Sequence, residues 1–441
     1  MRREKLLAVM VFMSLVAEED TMLAYYHEMW TPARLLEWFI YILPIKVNVY
    51  AIGCVILLLT AKRKGAAARP LSPAIAASAI ALVFSVLYGL ARGGDTKPIY
   101  TQIVAWTFCL IFVLTGAAVL TKVEDFRRVQ SAIVWAGLWR ATMAIIFYMK
   151  VRDRDWSTLP QTMTTHEDTV TFVVAMLVLA SRAIEERTKK SLRWLMLGAP
   201  LLLVAIQLNN RRLAWATLAE GLAVLYFMLP TKSNVTRRIN RSLLWASPII
   251  ILYVAIGWGR PEGIFKPLQS FSSMGGGQID NSTRARDNEN QSLITMIRQE
   301  PLLGTGLGHE WIELDATYTV PLSTFPFYHY CPHNSVLALV AFCGGLGFAG
   351  LWMVIPVSAY LNALTYRRAP DPATRSVAAV GLVEVVAYLN QAWGDMGAMG
   401  VTHIVPATIL GVGMAAAARM PVVSGAWSAQ APKATNVAKA L

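Results

Sequence analysis

Three polar groups of residues, far apart in the chain, combine types that suit the departure of a phosphate and the removal of a proton. The first is Asn209, Asn210, Arg211 and Arg212, followed by Leu213, Ala214 and Trp215. Two adjacent guanidinium groups form a fork for a phosphate or diphosphate, because arginine is always charged and its planar donors match phosphate oxygens bidentately. Snorkelling of the same pair to lipid phosphates is the plainer reading. The second group is Ser282, Thr283, Arg284, Ala285, Arg286 and Asp287, running on to Arg298 and the glycine-rich Pro301-Leu302-Leu303-Gly304-Thr305-Gly306-Leu307-Gly308. Those glycines permit a sharp turn or a close approach to a ligand, a weak signal alone. The third is His333-Asn334, between Pro332 and an apolar run that begins with Val336 and Leu337. Proline suits the first turn of a helix, which places His333 at a helix start. An imidazole, with an unperturbed pKa of about 6.5, accepts a proton at neutral pH as a general base must. A satisfied polar residue at a helix end is the alternative.

The elements that position these groups are membrane spans. Of the 441 residues, 55% are hydrophobic and only 15% charged, whereas soluble proteins carry about 25% charged residues. Apolar blocks of about 20 residues, enough to cross the hydrocarbon, recur from end to end. Twelve candidate spans lie near 4–17, 36–60, 74–91, 100–121, 129–149, 167–183, 193–209, 212–229, 243–259, 333–363, 376–392 and 401–419. The expectation is therefore an all-α, polytopic helix bundle, a single membrane domain over 1–441, with one large, partly helical periplasmic loop over 260–332. Acidic Glu18, Glu19 and Asp20 follow the first block where a cleavage site would need small residues, so it reads as a retained span. The net charge of +13 does not indicate nucleic acid, because the basic residues sit in short runs between apolar blocks. With the N-terminus inside, 25 of the 40 Lys and Arg residues fall in inner segments and 13 in outer ones, and five of those 13 belong to the long loop, where the positive-inside rule is weak. That count predicts a cytoplasmic N-terminus and C-terminus. All six histidines and the Arg211-Arg212 pair then fall at the outer ends of spans, which places the chemistry on the periplasmic face of the inner membrane.

Other residues are more ambiguous. Phe325, Phe327, Tyr328 and Tyr330, framed by Pro321, Pro326 and Pro332, form either an interfacial aromatic belt or a platform for stacking sugars. Mid-span Arg140, Glu220 and Glu384 should pair or face a cavity, since an unpaired charge there costs about 2.5–3.5 kcal/mol. His166, Glu167 and Asp168 offer an alternative base, and Asp395 is a candidate sugar contact. A metal site built on His329, Cys331 and His333 is disfavoured because Pro332 disturbs the helical face they would share. Three of the four cysteines lie inside apolar blocks, so no disulfide framework is expected.

Together the three polar groups resemble the O-antigen ligase and polymerase superfamily of bacterial envelope glycosyltransferases. Arg212-Leu213-Ala214-Trp215 is similar to the family's Ser-Arg-Gly-Ala-Trp segment. Arg286 stands fifteen residues before Pro301-Leu-Leu-Gly304-Thr-Gly306-Leu-Gly308, as the family's loop arginine precedes its Pro-Leu-Leu-Gly-Val-Gly-Leu-Gly signature. His333-Asn334-Ser-Val-Leu337, with Gly344-Gly345-Leu346-Gly347 downstream, is similar to its His-Asn-x-x-Leu element. The chain departs from the pattern at Asn290, where the family often has Trp, and at Arg211-Arg212, which share one assignment. The first half of the chain carries no matching motif.

The resemblance implies an undecaprenyl-diphosphate-linked glycan as donor, and a glycan or the lipid A core as acceptor. It implies that Arg212 and Arg286 hold the diphosphate while His333 takes the acceptor proton, inverting the anomeric centre without a metal or other cofactor. Arg211, Arg284, Asn334 and Asp395 are then candidate substrate contacts. A polymerase of surface polysaccharide is the favoured member, with the ligase as alternative. A transporter or flippase is the rival class, but no repeated halves are visible and the polar groups gather at one face.

Overall fold

Where water is absent, backbone N–H and C=O groups must bond within their own segment, so long apolar runs fold as helices. The computed structural model describes residues 2–16, 39–42, 45–61, 71–152, 163–231, 233–258, 260, 265, 267–268, 281–315, 326–394 and 404–423. The helices in chain order are α1 (Arg3–Val16), α2 (Val49–Thr60), α3 (Leu71–Ala91), α4 (Thr96–Val119), α5 (Val123–Val151), α6 (Glu167–Glu186) and α7 (Lys189–Asn209). They continue with α8 (Arg212–Met228), α9 (Asn234–Gly257), α10 (Asn281–Gln299), α11 (Ser335–Trp352), α12 (Val354–Arg368), α13 (Pro372–Gly394) and α14 (Ile404–Val423). Among the described residues, seven stretches are long and apolar enough to cross a membrane: α3, α4, α5, α7, α9, α11 with α12, and α13.

Three features differ from the sequence reading. The block at 36–60 is not one span: Phe39–Ile42 (β1) pairs antiparallel with Ile45–Asn48 (β2), from Phe39 opposite Asn48 to Ile42 opposite Ile45, before α2 begins. Pro44 removes a helical donor there, and Ile40, Tyr41, Ile45 and Val47 favour extended backbone. Within the loop expected to be only partly helical, the polar stretch 281–290 is also helical and forms the first half of α10. Finally, the block at 333–363 is broken at Gly344, whose φ of 65° and ψ of 177° leave the helical region, and again between α11 and α12.

α6 is buried without interruption from Asp168 to Ser181, as befits a helix that is apolar all round and surrounded by protein. α14 packs against both α4 and α13. One core joins α1 and α2 to α5–α8, and a second joins α3, α10, α11 and α12 to the loop residues Leu307, Trp311 and Tyr328. α4, α13 and α14 contribute to both. The second core positions the histidine and the loop arginines.

Candidate functional site

α10 forms because one stripe of it is buried: Glu289, Ser292, Leu293 and Met296 recur at helical spacing and face α11. Glu289 is the anomaly in that stripe, a carboxylate only 1% exposed. Its Oε2 lies 3.0 Å from His333 Nδ1, and its Oε1 accepts the Asn334 backbone N–H at 3.2 Å. Tyr328 lines the same small cavity as Glu289 and Glu313. Burial first, and then the carboxylates of Glu289 and Glu313, push the Tyr328 phenol up, so it remains protonated at physiological pH. His333 itself is partly exposed, and its Nε2 makes no hydrogen bond among the described residues.

His333 precedes α11 rather than opening it. Asn334 is the N-cap, with its side-chain oxygen accepting from Leu337 N at 3.1 Å, so part of this candidate substrate contact is committed to the helix end. Arg286 lies one helical turn before Glu289, half-buried on the adjoining face of α10. Arg284 is exposed and turns to another face of the helix. Arg286 thus shares α10 with the carboxylate that binds His333, three residues away, but makes no hydrogen bond or ion pair with Glu289 or His333 among the described residues.

The glycine signature is what holds α10 against α11. Gly304 has φ 72°, and a Cβ there would meet Gly344 N at 2.5 Å and Ala341 O at 2.6 Å. At the Gly344 break the loop supplies the missing partners: Thr305 N donates to Ala341 O (3.0 Å) and Gly306 N to Phe342 O (2.9 Å). In return Gly345 N donates to Pro301 O (2.8 Å) and Leu346 N to Leu302 O (3.2 Å). Non-helical backbone at membrane depth is tolerated only when satisfied in this way. Gly304 and Gly344 are thus needed for a close backbone-to-backbone approach.

The other arginine pair sits on the α7–α8 turn. Asn210 closes α7 in the left-handed conformation, Arg211 caps α8 and Arg212 opens it; both arginines are half-buried. The turn is anchored by buried Asn209, whose amide donates to Thr165 O at 2.9 Å and to Thr164, and whose oxygen accepts from Thr169 Oγ1 at 3.1 Å. No contact between this turn and His333 is described. Asp395 lies outside the described residues; Gly394 just before it is packed beside Leu213 of α8.

The remaining polar residues have distinct fates. Arg140 pairs with Asp168 through two nitrogens, Nε to Oδ1 and Nη2 to Oδ2 at 3.2 Å, so Asp168 of the alternative base cluster is already engaged. Glu220 accepts from the Asn390 amide rather than from a cation. Glu384 is fully buried, and neither carboxyl oxygen meets a donor among the described residues, so the pairing half of the expectation is not met there. Tyr328 is buried beneath Trp311, while Phe327 and Tyr330 are half-buried against the same core, and Lys97 Nζ lies 5.2 Å from the Phe327 ring. Burial and a hydrogen bond to Glu310 push the Tyr330 phenol up to about 12. These three aromatics brace the loop; Phe325 lies outside the described residues. His329 lies 3.4 Å from Glu313, and no group of three metal-ligating side chains converges among the described residues.

Glu289 had no signal in the sequence beyond its place in the stripe, since a glutamate at a buried helical position reads as a solvated one. A comparison with curated proteins finds no match to the chain. A family model described as O-Antigen ligase matches residues 197–352, a stretch that runs from within α7 to the end of α11 and holds both arginine groups, Glu289, His333 and Asn334. Over residues 197–352, the stretch that carries all three motifs, this membrane protein is similar to the O-antigen ligase family, as the motifs' resemblance leads one to expect.

Proposed function

We propose that the protein transfers a glycan from an undecaprenyl-diphosphate-linked donor to a sugar hydroxyl at the periplasmic face of the inner membrane, as a polymerase of surface polysaccharide. The observation that supports this most is the contact between α10 and α11, which puts Arg286 one turn from the carboxylate that binds His333. Arg286 and Arg212 grip the diphosphate, and His333 Nε2 removes the acceptor proton as the oxygen attacks the anomeric carbon from the side opposite the leaving group. The configuration inverts. Charge on the departing diphosphate grows in the transition state, and preorganised guanidinium groups near low-dielectric lipid stabilise it strongly. They supply the compensation that a divalent cation supplies elsewhere, so the reaction is metal-independent. Transfer to the lipid A core is the second reading, favoured by the description of the matched family as O-Antigen ligase.

The test is turnover of a purified lipid-linked donor by the protein in detergent. Arg286→Ala and His333→Ala should each lower transfer by about a hundredfold or more at unchanged folded yield. Arg212→Lys should also be impaired, because lysine keeps the charge and loses the fork. Activity should survive EDTA. Normal turnover by His333→Ala, or loss of activity to the chelator, would overturn the mechanism.

A further inference from the structure

Glu289 is a positioning group of a kind the matched motifs do not include. A carboxylate 1% exposed is costly to bury unless its oxygens are used, and here each oxygen meets a donor: Oε2 the His333 Nδ1 and Oε1 the Asn334 backbone N–H. An ionised carboxylate only accepts, so the His333 nitrogen that faces it must carry a proton. In a neutral imidazole that leaves Nε2 with the lone pair. We infer that Glu289 fixes His333 as the Nδ1–H tautomer and aims its Nε2 at the acceptor hydroxyl, acting through the histidine rather than on substrate.

This rests on His333 being the base. The acceptor O–H proton passes to Nε2, the oxygen forms a bond to the anomeric carbon, and the bond from that carbon to the diphosphate oxygen breaks with its electron pair leaving on the diphosphate. The resulting imidazolium keeps Nδ1–H against Glu289, whose charge offsets the new positive charge. The proton then leaves from Nε2 to solvent or to the departed diphosphate. Nothing is consumed beyond donor and acceptor.

The same contact ties the base to the clamp. Glu289 and Arg286 share α10, while His333 and Asn334 lead into α11, so binding of the diphosphate at Arg286 and orientation of the base depend on one helix-to-helix junction. Glutamine at 289 keeps the shape but has a single acceptor oxygen for two donors. If its amide N–H2 faces Nδ1, the proton moves to Nε2, and the histidine can no longer accept.

The experiment is a double-mutant cycle on the full-length protein in detergent, using purified lipid-linked donor. Glu289→Gln should lower kcat by at least about a hundredfold, since a histidine in the wrong tautomer loses its contribution as general base, with the KM for donor changed by less than about threefold. In a His333→Ala background, Glu289→Gln should lower the residual rate by less than about threefold, because the histidine it serves is gone. Glu289→Asp, which retains two acceptor oxygens, should recover part of kcat; melting curves of all variants show whether the fold is intact. Full additivity in the cycle, or a Glu289→Gln variant with normal kcat while His333→Ala is inactive, overturns the inference and leaves the base assignment standing. Normal turnover by His333→Ala overturns the base assignment itself.

Discussion

Arg140 and Asp168 are both nearly inaccessible, with side-chain exposures of 7% and 3%, and each is the other's main reason for being tolerated inside the bundle. Deleting one member of such a pair strands the other, which costs about 3–5 kcal/mol, whereas replacing both with apolar residues of similar size is near neutral. Arg140→Met should therefore lower the melting temperature in detergent sharply, and Arg140→Met with Asp168→Leu should recover most of the loss. A double variant no more stable than the single one would show that the pair is not the source of the effect. Glu384 is the contrasting case, a buried carboxyl whose oxygens have no donor among the described residues. The sequence reveals that such mid-span charges must be accommodated, but the partner of Arg140 is 28 residues away and belongs to a cluster that also reads as a catalytic base. For the same reason His333, Arg286 and Arg212 can be proposed from type and motif, while Glu289 cannot: the role inferred for it rests on which neighbours it meets.

Between elements, the decisive junction is the loop 301–306 laid across the break in α11. Gly304→Ala would drive a methyl into the backbone of Ala341, Phe342 and Gly344, whereas Gly93, also at positive φ (88°), has nothing within 4 Å of an added Cβ. Gly93→Ala should cost only the conformational strain, about 1 kcal/mol. Gly304→Ala should cost several times that and should also depress transfer, because α10, which carries Arg286 and Glu289, is held against α11 through this loop; melting curves and turnover of the two variants side by side check both parts. Equal stability losses would mean that the close approach is unimportant. The long apolar helices α3, α4, α5, α7 and α13 are legible as spans because lipid imposes length and composition directly. The hairpin at β1 and β2, the polar first half of α10 and the Gly344 break are not, since each depends on a tertiary partner that overrides local pattern: a glycine inside an apolar block reads as a tolerated helix residue until the loop that satisfies its break is seen.

At the scale of the whole molecule, orientation and substrate choice follow from where the polar residues gather. Impermeant maleimide should label Asp287→Cys in intact spheroplasts and should label Asn234→Cys only after lysis, since charge alternation puts α10 outside and the start of α9 inside. All four native cysteines are buried, so background is low, and the reverse pattern would invert the topology. Under the proposed mechanism, polymerase and ligase would use the same diphosphate donor and differ only in the hydroxyl presented to His333, so clamp and base alone do not tell them apart. The reading as polymerase leans on the long loop of 260–332, yet its aromatic end is engaged in bracing the loop, with Tyr328 buried against Trp311. That leaves less stacking surface for a glycan chain than the sequence suggests, and shifts the weight of decision to a deletion strain. Loss of chain length with single repeat units still exported identifies a polymerase. Long chains that accumulate on undecaprenyl diphosphate, above a bare lipid A core, identify the ligase. If chain length, attachment and the pool of lipid-linked donor are all normal in the strain, the transfer reaction itself is refuted, because an enzyme that empties this donor pool must leave it swollen when removed.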